Sequence, residues 1–288
     1  MFTIDHLVLP SISLDAARHR LSLLGFTVAA DARHPFGTGN ACVFMRDGIY
    51  LEPLSIVDAA LYGTSVAAGN VFVRDDRAFR AMAGENGFSA LALSTDNAAA
   101  DHARFNAADI SGGDMLEFSR LARLPDGSEK LARFHLAFAA RGAGDSFGVF
   151  TCQRLDPLPA DRAALERHDN GVVALAEIIL VAAEMVGTAA RMEQVLATSP
   201  QYADPDSATF DARNGTLRVV TAKRFAKEFD EAEVPPAGLM GAAIVFRVSD
   251  LAVTRAMLAA NDVAFMDKGD RITVAAAPGQ GAVFAFEE

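Results

Sequence analysis

Residues 5–9 read DHLVL and residues 48–52 read GIYLE, and the predicted fold depends on these two stretches. Both are apolar runs of the strand type. His6 stands within the first run, and the second run ends on Glu52. A polar side chain in a buried strand needs a hydrogen-bonding partner. A fold that pairs these strands therefore places an imidazole beside a carboxylate in a cavity.

The first 56 residues predict the order strand, helix, strand, strand, strand. Apolar residues recur at three- and four-residue spacing after the first strand, which indicates a one-sided helix that ends at Gly25. Asp47-Gly48 suits a tight primed hairpin turn. The predicted elements are a strand at Phe2–Leu9, a helix at Leu14–Leu24, a strand at Phe26–Ala30 and a hairpin of Cys42–Met45 with Ile49–Leu54.

The same order recurs three times, as a repeat of topology rather than of sequence. The second copy has strands at 89–93, 115–123, 131–139 and 147–152, with Pro125-Asp126-Gly127 as one turn. In the third copy, strands at 174–182, 209–212 and 217–221 are visible, but residues 223–230 look helical where a last strand is expected. The fourth copy has strands at 242–248, 263–266, 272–276 and 282–286. The fold class is therefore α+β, built from four βαβββ units.

Two linkers divide these units. The first, residues 57–86, contains short helical pieces, and the second, residues 155–170, is rich in Pro, Ala and Arg. The second linker predicts two domains of two units each. They are an N-terminal domain at 1–160, with units at 1–56 and 87–154, and a C-terminal domain at 161–288.

The composition bounds the function. With 51% apolar and 22% charged residues the chain is globular, and its net charge of −11 argues against nucleic acid or an acidic membrane surface as a partner. Cys42 and Cys152 have no metal-type spacing. No signal peptide and no bilayer-length apolar segment are visible, so we expect a cytoplasmic protein.

Four such units in two pairs resemble the vicinal oxygen chelate superfamily, which includes glyoxalase I, extradiol dioxygenases and bleomycin-resistance proteins. More narrowly, the DHLV run at Asp5–Val8, the loop from Arg33 to Asn40 (RHPFGTGN) and the YLE run at Tyr50–Glu52 resemble the glyoxalase-like domain family. The resemblance implies that units pair into two cupped, partly closed mixed β-barrels, whose hollow holds a metal or a ligand.

The resemblance implies binding of a small polar or amphipathic molecule in the N-terminal barrel. The sequence leaves open whether the protein is an enzyme. If it is, a lyase or isomerase that acts beside a carbonyl is expected, or else an extradiol-dioxygenase-like metalloenzyme. If it is not, the chain is a metal-free ligand-binding or sequestering protein of the bleomycin-resistance type, or a scaffold whose hollow is filled. Paired units within one chain allow a monomer as well as a homodimer.

The candidate site lies in the first pair of units. His6 and Glu52 are the predicted catalytic residues and the predicted ligands of a divalent metal ion, and burial is expected to raise the pKa of Glu52 so that it can act as a base. The predicted ligand-binding residues are His34, Thr38, Asn40, Tyr50, Gln153 and Arg154.

Two departures weaken the metal prediction. Related chains often carry Cys-Gln-His near the end of the second unit, whereas residues 152–154 read CQR here. The position that corresponds to His6 in the second unit falls near Ala90, which has no donor atom. A complete ligand set is therefore not visible, and Glu177 in the third unit is a further candidate of lesser weight.

Overall fold

The structure is a computed structural model that describes residues 1–123, 129–156 and 162–288. Its N-terminal half consists of nine strands and four helices, in the order β1 (Ile4–Pro10), α1 (Leu14–Leu23), β2 (Ala32–Arg33), β3 (Thr38–Asn40), β4 (Val43–Phe44), β5 (Tyr50–Ile56), α2 (Ala59–Ala67), α3 (Val71–Ala83), β6 (Ala90–Ser94), α4 (Ala98–Ala107), β7 (Leu116–Arg123), β8 (Glu129–Phe138) and β9 (Gly148–Arg154). The predicted turn at Pro125-Asp126-Gly127 lies outside the described residues.

The C-terminal half repeats the arrangement with eight strands and three helices. They are β10 (Val172–Ala182), α5 (Met185–Leu196), β11 (Tyr202–Asp204), β12 (Ser207–Ala212), β13 (Gly215–Thr221), α6 (Ala222–Phe229), β14 (Leu239–Val248), α7 (Leu251–Ala260), β15 (Met266–Asp267), β16 (Ile272–Val274) and β17 (Val283–Glu287). No helix among the described residues is long and apolar enough to cross a bilayer.

Each half forms one mixed sheet from its two units. The main strand order is β2-β3-β5-β1-β6-β9-β8-β7 in the first sheet and β11-β12-β13-β10-β14-β17-β16-β15 in the second. In both, the first strands of the two units pair antiparallel at the centre, and each unit's last strand runs parallel beside its first. The predicted α+β class with four units paired into two cupped barrels is confirmed.

Two strand predictions were wrong. Residues 26–30 form no regular strand, and the second strand of the first unit is the short β2. In the third unit, the strands predicted as the second and third are β12 and β13. They are the third and fourth strands of the unit, because the short β11 precedes them. β11 is short and lies at the sheet edge, and its first two residues, Tyr202 and Ala203, are exposed. It therefore lacks the apolar alternation by which a strand is recognised in sequence.

The hairpin between β4 and β5 is present, but its turn differs from the prediction. Val43 pairs with Leu51 and Phe44 with Tyr50 across the hairpin. Gly48 adopts a φ of 88°, whereas Asp47 lacks the positive φ that either primed turn requires of its first central residue. Asp47 instead accepts a hydrogen bond from the Ile49 amide and another, through its second oxygen, from the Leu175 amide. The turn thereby ties the two halves together.

One continuous apolar core contains residues of both halves. Phe26, which follows α1, contacts Phe246, Phe284 and Phe286 of the second sheet at ring-centroid distances of 5.2, 5.9 and 6.3 Å. His168 and Asn170 of the second linker also bind the first unit. The His168 Nε2 atom donates to the Phe44 carbonyl at 3.0 Å, and the Asn170 amide donates to the Leu24 carbonyl at 2.8 Å.

The two barrels differ in what fills them. In the second, α6 directly follows β13 and buries Phe225 and Phe229 against Ile179 and Val181 of β10. In the first, the chain between the paired units forms α2 and α3, and α3 presents Phe72 to the same face of the sheet as Val8 and Leu54. The first barrel retains two pockets beneath α3.

Candidate functional site

An irregularity in β1 places two consecutive polar residues at the same site. Ile4 pairs with Leu93 and His6 pairs with Ala92, so Asp5 is an extra residue on its strand, a β-bulge. A regular strand sends successive side chains to opposite faces, whereas a bulge re-aims them. Asp5 and His6 are consequently in contact, with the His6 Nδ1 atom 2.5 Å from the Asp5 carboxylate. The bulge also places Ile4 and Val8 in different apolar clusters, although regular alternation would put both on one face.

His6 is a buried imidazole between two carboxylates. Its Nδ1 atom donates to Asp5, and its Nε2 atom lies 3.4 Å from the Glu52 carboxylate. The ring of Tyr50 stacks on the imidazole at 4.6 Å, because His6 and Tyr50 pair across β1 and β5. Burial lowers the pKa of His6, but hydrogen bonds to Asp5 and Glu52 outweigh burial, and its pKa is raised. Contact with two carboxylates therefore favours the imidazolium form of His6.

Glu52 is the centre of the site. Its Oε1 atom accepts a hydrogen bond from the Asn40 amide at 2.5 Å, and the Nε2 atom of His34 lies 3.6 Å from the same oxygen. Burial acts to raise the pKa of Glu52, but hydrogen bonds from His6 and Asn40 and the positive charge of His6 lower it to about 2. The expected rise toward neutrality is thus wrong, because the carboxylate lies among cations and donors rather than in a purely apolar cavity.

His34 lies next to Glu52 and is uncharged. Burial lowers its pKa to about 4. Its Nδ1 atom is hydrogen-bonded to the Thr38 hydroxyl at 2.9 Å, and its Nε2 atom lies 3.3 Å from the Asn40 amide nitrogen. Phe36 stacks on the ring at 5.0 Å. The loop between β2 and β3 and the start of β3 thus supply a neutral, oriented histidine.

Arg154, at the end of β9, completes the charged group. Its guanidinium donates to the same Asp5 oxygen that His6 contacts, and it lies 5.5 Å from the ring centroid of Tyr50. Two carboxylates, Asp5 and Glu52, are therefore matched by two cations, His6 and Arg154. The charges of this buried group balance without any ion.

A pocket opens above these side chains. His6, His34, Tyr50 and Glu52 form its polar part, and Arg120 of β7 is a further charged residue of its lining. Its other lining residues are the apolar Phe36, Phe72, Phe118, Phe134, Leu136, Phe150 and Cys152. We call this space the first pocket.

The sequence matches a family model described as a glyoxalase-like domain over residues 4–196, which is most of the chain. The protein belongs to the glyoxalase-like domain family. The predicted resemblance to this family and to the vicinal oxygen chelate fold is confirmed. No curated protein sequence matches the chain significantly.

Solved structures share the fold of this glyoxalase-like protein at low sequence identity. A hypothetical protein from Staphylococcus aureus is 11% identical, with 100% of this chain and 99% of that chain covered and a TM-score of 0.69. A mutant of 4-hydroxymandelate synthase from Streptomyces coelicolor is 14% identical, with coverage of 99% and 92% and a TM-score of 0.59. A Mn(II)-bound glyoxalase from Novosphingobium aromaticivorans is 10% identical, with coverage of 99% and 82% and a TM-score of 0.53. At these identities the likeness shows the fold alone.

Most of the candidate residues predicted from the sequence lie together in this glyoxalase-like protein. The structure brings together His6, His34, Thr38, Asn40, Tyr50, Glu52 and Arg154. Gln153 is the exception. Its side chain accepts from the Ala98 amide at 3.1 Å and donates to the Asp96 carbonyl at 2.7 Å, which places it at the start of α4. The alternation along β9 turns Gln153 away from the pocket face that carries Cys152.

The donor atoms do not suit a resident metal in this arrangement. Among the described residues, Asp5, His6 and Cys152 have ligand atoms within 4.8 Å of one another. Asp5, however, already binds both His6 and Arg154, and burial raises the pKa of the Cys152 thiol, which keeps it protonated. An ion would have to displace a guanidinium and the protons of the imidazolium and the thiol. Residues 90 and 92 of β6, which share the pocket-side apolar cluster, are alanines and offer no ligand.

Other residues of the site escaped prediction. Asp5 was part of the diagnostic run, but a regular strand would have turned it away from His6. Phe72 belongs to what looked like a linker, and Arg120 to an unremarkable strand. The composition did contain one signal, since 20 phenylalanines and no tryptophan is a strong bias. Glu177 is not part of the site, because it forms a two-point ion pair with Arg218 at 2.8 and 3.0 Å.

Proposed function

We propose that the glyoxalase-like protein binds a small carboxylate with an aromatic or apolar body in the first pocket, without a metal ion. The observation that carries the proposal is Arg120, which lines the pocket and has no carboxylate partner among the described residues. Its guanidinium lies 5.7 Å from the ring centroid of Phe134. An arginine that is not neutralised is well suited to bind a carboxylate with two hydrogen bonds.

The charge around the first pocket supports an anionic ligand. Asp5 and Glu52 balance His6 and Arg154, and His34 is neutral because of its pKa of about 4. Among the described residues, Arg120 therefore adds a positive charge at the pocket that no carboxylate pairs with. A negative group on the ligand would complete the balance.

The walls of the first pocket support a flat apolar body. Five phenylalanines line it, and the rings of Phe36 and Phe118 meet edge to face at 5.2 Å. Aromatic rings prefer such edge-to-face or offset contacts, so a ligand ring can join the cluster without rearrangement.

The state of Glu52 favours binding over catalysis. A general base works best when its pKa lies near the working pH, whereas the pKa of Glu52 is lowered to about 2. Its two oxygens are also occupied, one near His6 and the other by Asn40. The second candidate is an isomerase that acts beside a carbonyl, and the position of His6 favours it, since a protonated imidazole in the pocket lining can donate a proton.

Calorimetric titration with phenylacetate and phenylacetamide tests the proposal, because the two probes differ in charge but hardly in shape. Wild-type protein should bind phenylacetate about tenfold more tightly or better, as expected for a charge-assisted hydrogen bond. Arg120→Gln should remove this preference, and Arg33→Gln, at an exposed arginine of β2, should retain it.

Equal affinity of the wild type for the two probes, or no binding of phenylacetate, would refute the proposal. Glu52→Gln separates the two candidates. A binding protein should keep much of its affinity for phenylacetate in this variant. An isomerase would show exchange of the α-hydrogens of phenylpyruvate with solvent deuterium, and Glu52→Gln would abolish that exchange.

A further inference from the structure

The first barrel contains another pocket, which we call the second pocket. It lies further along the same strands. His6 and Glu52 line the first pocket, and Val8 and Leu54, each two residues later, line the second. Phe72 and Phe150 line both pockets and meet edge to face at 6.0 Å. The two pockets share these two rings, and all their other lining residues differ.

We infer that the second pocket is a separate binding site for a small uncharged molecule with an apolar body and one hydroxyl or amide group. This inference does not rest on the function proposed for the first pocket. Its apolar lining consists of Val8, Leu54, Phe72, Ala90, Phe138, Val149 and Phe150, and its polar lining consists of Asp75, Asp76, Ser89 and Arg141.

Two polar atoms of this lining lack partners among the described residues. Asp76 has a side chain that is only 3% exposed, and its Oδ2 atom accepts from Tyr62 at 2.7 Å and Arg80 at 2.9 Å. Its Oδ1 atom accepts nothing within the described part of the chain. Native proteins satisfy the great majority of buried polar groups, and an occupant of the pocket that donates a hydrogen bond would satisfy this one.

The second unpartnered atom is a donor. Arg141 has a side chain that is 16% exposed, and its Nη1 atom donates to the Ser146 carbonyl at 3.3 Å. Its Nε–H bonds to no described acceptor, since the nearest carboxylate oxygen, of Asp75, is 3.7 Å away. The two residues that carry this acceptor and this donor, Asp76 and Arg141, both line the second pocket. A hydroxyl or an amide group both donates and accepts, so it can satisfy both.

Gly148 of β9 leaves the space that the Arg141 side chain occupies. A Cβ atom on Gly148 would lie 2.7 Å from the Arg141 Nε atom and 3.2 Å from its Cζ atom. Glycine at this position therefore lets the guanidinium lie directly against β9. Gly148 itself lines the pocket.

The charges near the second pocket balance. Asp76 pairs with Arg80, which also pairs with Glu85 at 2.7 Å. Asp75 pairs with Arg74 at 2.8 Å and lies near Arg141. Three carboxylates thus face three guanidinium groups. A charged ligand would leave a charge uncompensated in a largely apolar space, so an uncharged one is favoured.

Titration of the full chain with benzyl alcohol and toluene tests the inference, because the probes differ in one hydroxyl group. The wild type should bind benzyl alcohol at least several-fold more tightly than toluene. Arg141→Met, which removes the Nε donor and keeps most of the stem, should weaken benzyl alcohol binding roughly tenfold. Arg74→Met is the matched control, since Arg74 also pairs with Asp75 but does not line the pocket, and it should leave the affinity unchanged.

Two further variants keep the test decisive. Gly148→Ala should weaken benzyl alcohol binding by moving the guanidinium without removing its charge. Arg120→Gln should affect phenylacetate but not benzyl alcohol, whereas Arg141→Met should do the reverse, so failure of one site is distinguishable from failure of the other. No binding of benzyl alcohol, equal binding of toluene, or loss of benzyl alcohol binding in Arg120→Gln would overturn the inference.

Discussion

At the scale of single residues, the site depends on which group carries each proton. His6 is charged because two carboxylates contact it, and Glu52 is charged because His6 and Asn40 contact it, although both residues are buried. His34 is buried beside the same residue, Glu52, yet it is neutral, because burial lowers its pKa to about 4 and outweighs the opposing effect of the Glu52 charge. The pKa values of two histidines that are 28 positions apart in the sequence are thus shifted in opposite directions in one pocket.

These protonation states predict the pH dependence of stability. The folded pKa of Glu52, about 2, lies below its ordinary value of 4.5, so its contribution is present above pH 4.5 and is lost as the pH falls toward 2. The contribution of His34 to stability changes with pH in the same direction. Its folded pKa of about 4 lies below its ordinary value of 6.5, so protonation destabilises the folded state as the pH falls from 6.5 to 4. We expect the free energy of unfolding to fall from pH 6.5 to pH 2, and urea titrations across this range measure it.

Variants separate these contributions. Glu52→Gln should remove the part of the fall in the free energy of unfolding below pH 4.5 that Glu52 causes. This part amounts to about 3 kcal/mol for a pKa shift of this size. His34→Gln should flatten the curve between pH 6.5 and pH 4 and leave the lower part unchanged. The contribution of His6 to stability changes with pH in the opposite direction. Because the pKa of His6 is raised in the folded protein, this contribution is lost as the pH rises through that pKa. Parallel curves for all proteins would contradict these assignments.

The ion pair of Arg154 with Asp5 leads to a prediction of how the site responds to metal ions. Its guanidinium binds Asp5, so a divalent cation near Asp5, His6 and Cys152 would meet a positive charge already in place. Millimolar Mn²⁺ should therefore leave the melting temperature of the wild type unchanged, although an ion that binds only the folded state would raise it. In Arg154→Gln the same addition should raise the melting temperature. Stabilisation of the wild type by Mn²⁺ would contradict this assignment.

At the scale of elements, the bulge in β1 and the helix α3 make the pocket. The bulge brings Asp5 and His6 to one site, and α3 supplies Phe72, Asp75 and Asp76 to the two pockets. The corresponding connection in the second half is α6, whose Phe225 and Phe229 pack against the second sheet. The two halves therefore share a unit order but differ in the connecting helix, and the two pockets described above lie beneath the connecting helix of the first half.

Gln153 provides a test at the element scale. Because its amide binds both the Ala98 amide and the Asp96 carbonyl, it stabilises the start of α4. Gln153→Ala should lower the free energy of unfolding by about 1 kcal/mol, the usual effect of losing a helix cap. Phenylacetate affinity should stay unchanged, and Gln201→Ala, at an exposed position, should affect neither quantity. Loss of phenylacetate binding in Gln153→Ala would show instead that Gln153 belongs to the binding site.

At the scale of the whole molecule, the two sheets share a core. Phe26 of the first half lies among phenylalanines of the second, and Asn214 binds both the amide and the carbonyl of Ile4. The predicted division at residues 160 and 161 falls at a position outside the described residues, and the family match continues across it to residue 196. The division into two domains stays a prediction.

The shared core predicts cooperative unfolding. We expect a single calorimetric transition with equal calorimetric and van't Hoff enthalpies, because neither half can lose its packing without exposing the other. Phe26→Ala should shift that transition as a whole, with a loss of roughly 3–5 kcal/mol for a buried phenylalanine. Two resolved transitions, only one of which responds to Phe26→Ala, would show instead that the halves are independent domains.

The sequence by itself determined the family, the four units and their pairing, and the partnership of His6 with Glu52. These depend on local patterns, namely strand and helix periodicity and short runs such as DHLV and YLE. Only the tertiary structure decided the bulge at Asp5, the ion pair of Asp5 with Arg154 and the direction of the Glu52 pKa. Each of these depends on the register between strands that are distant in the chain, and on neighbours that no single stretch of sequence contains.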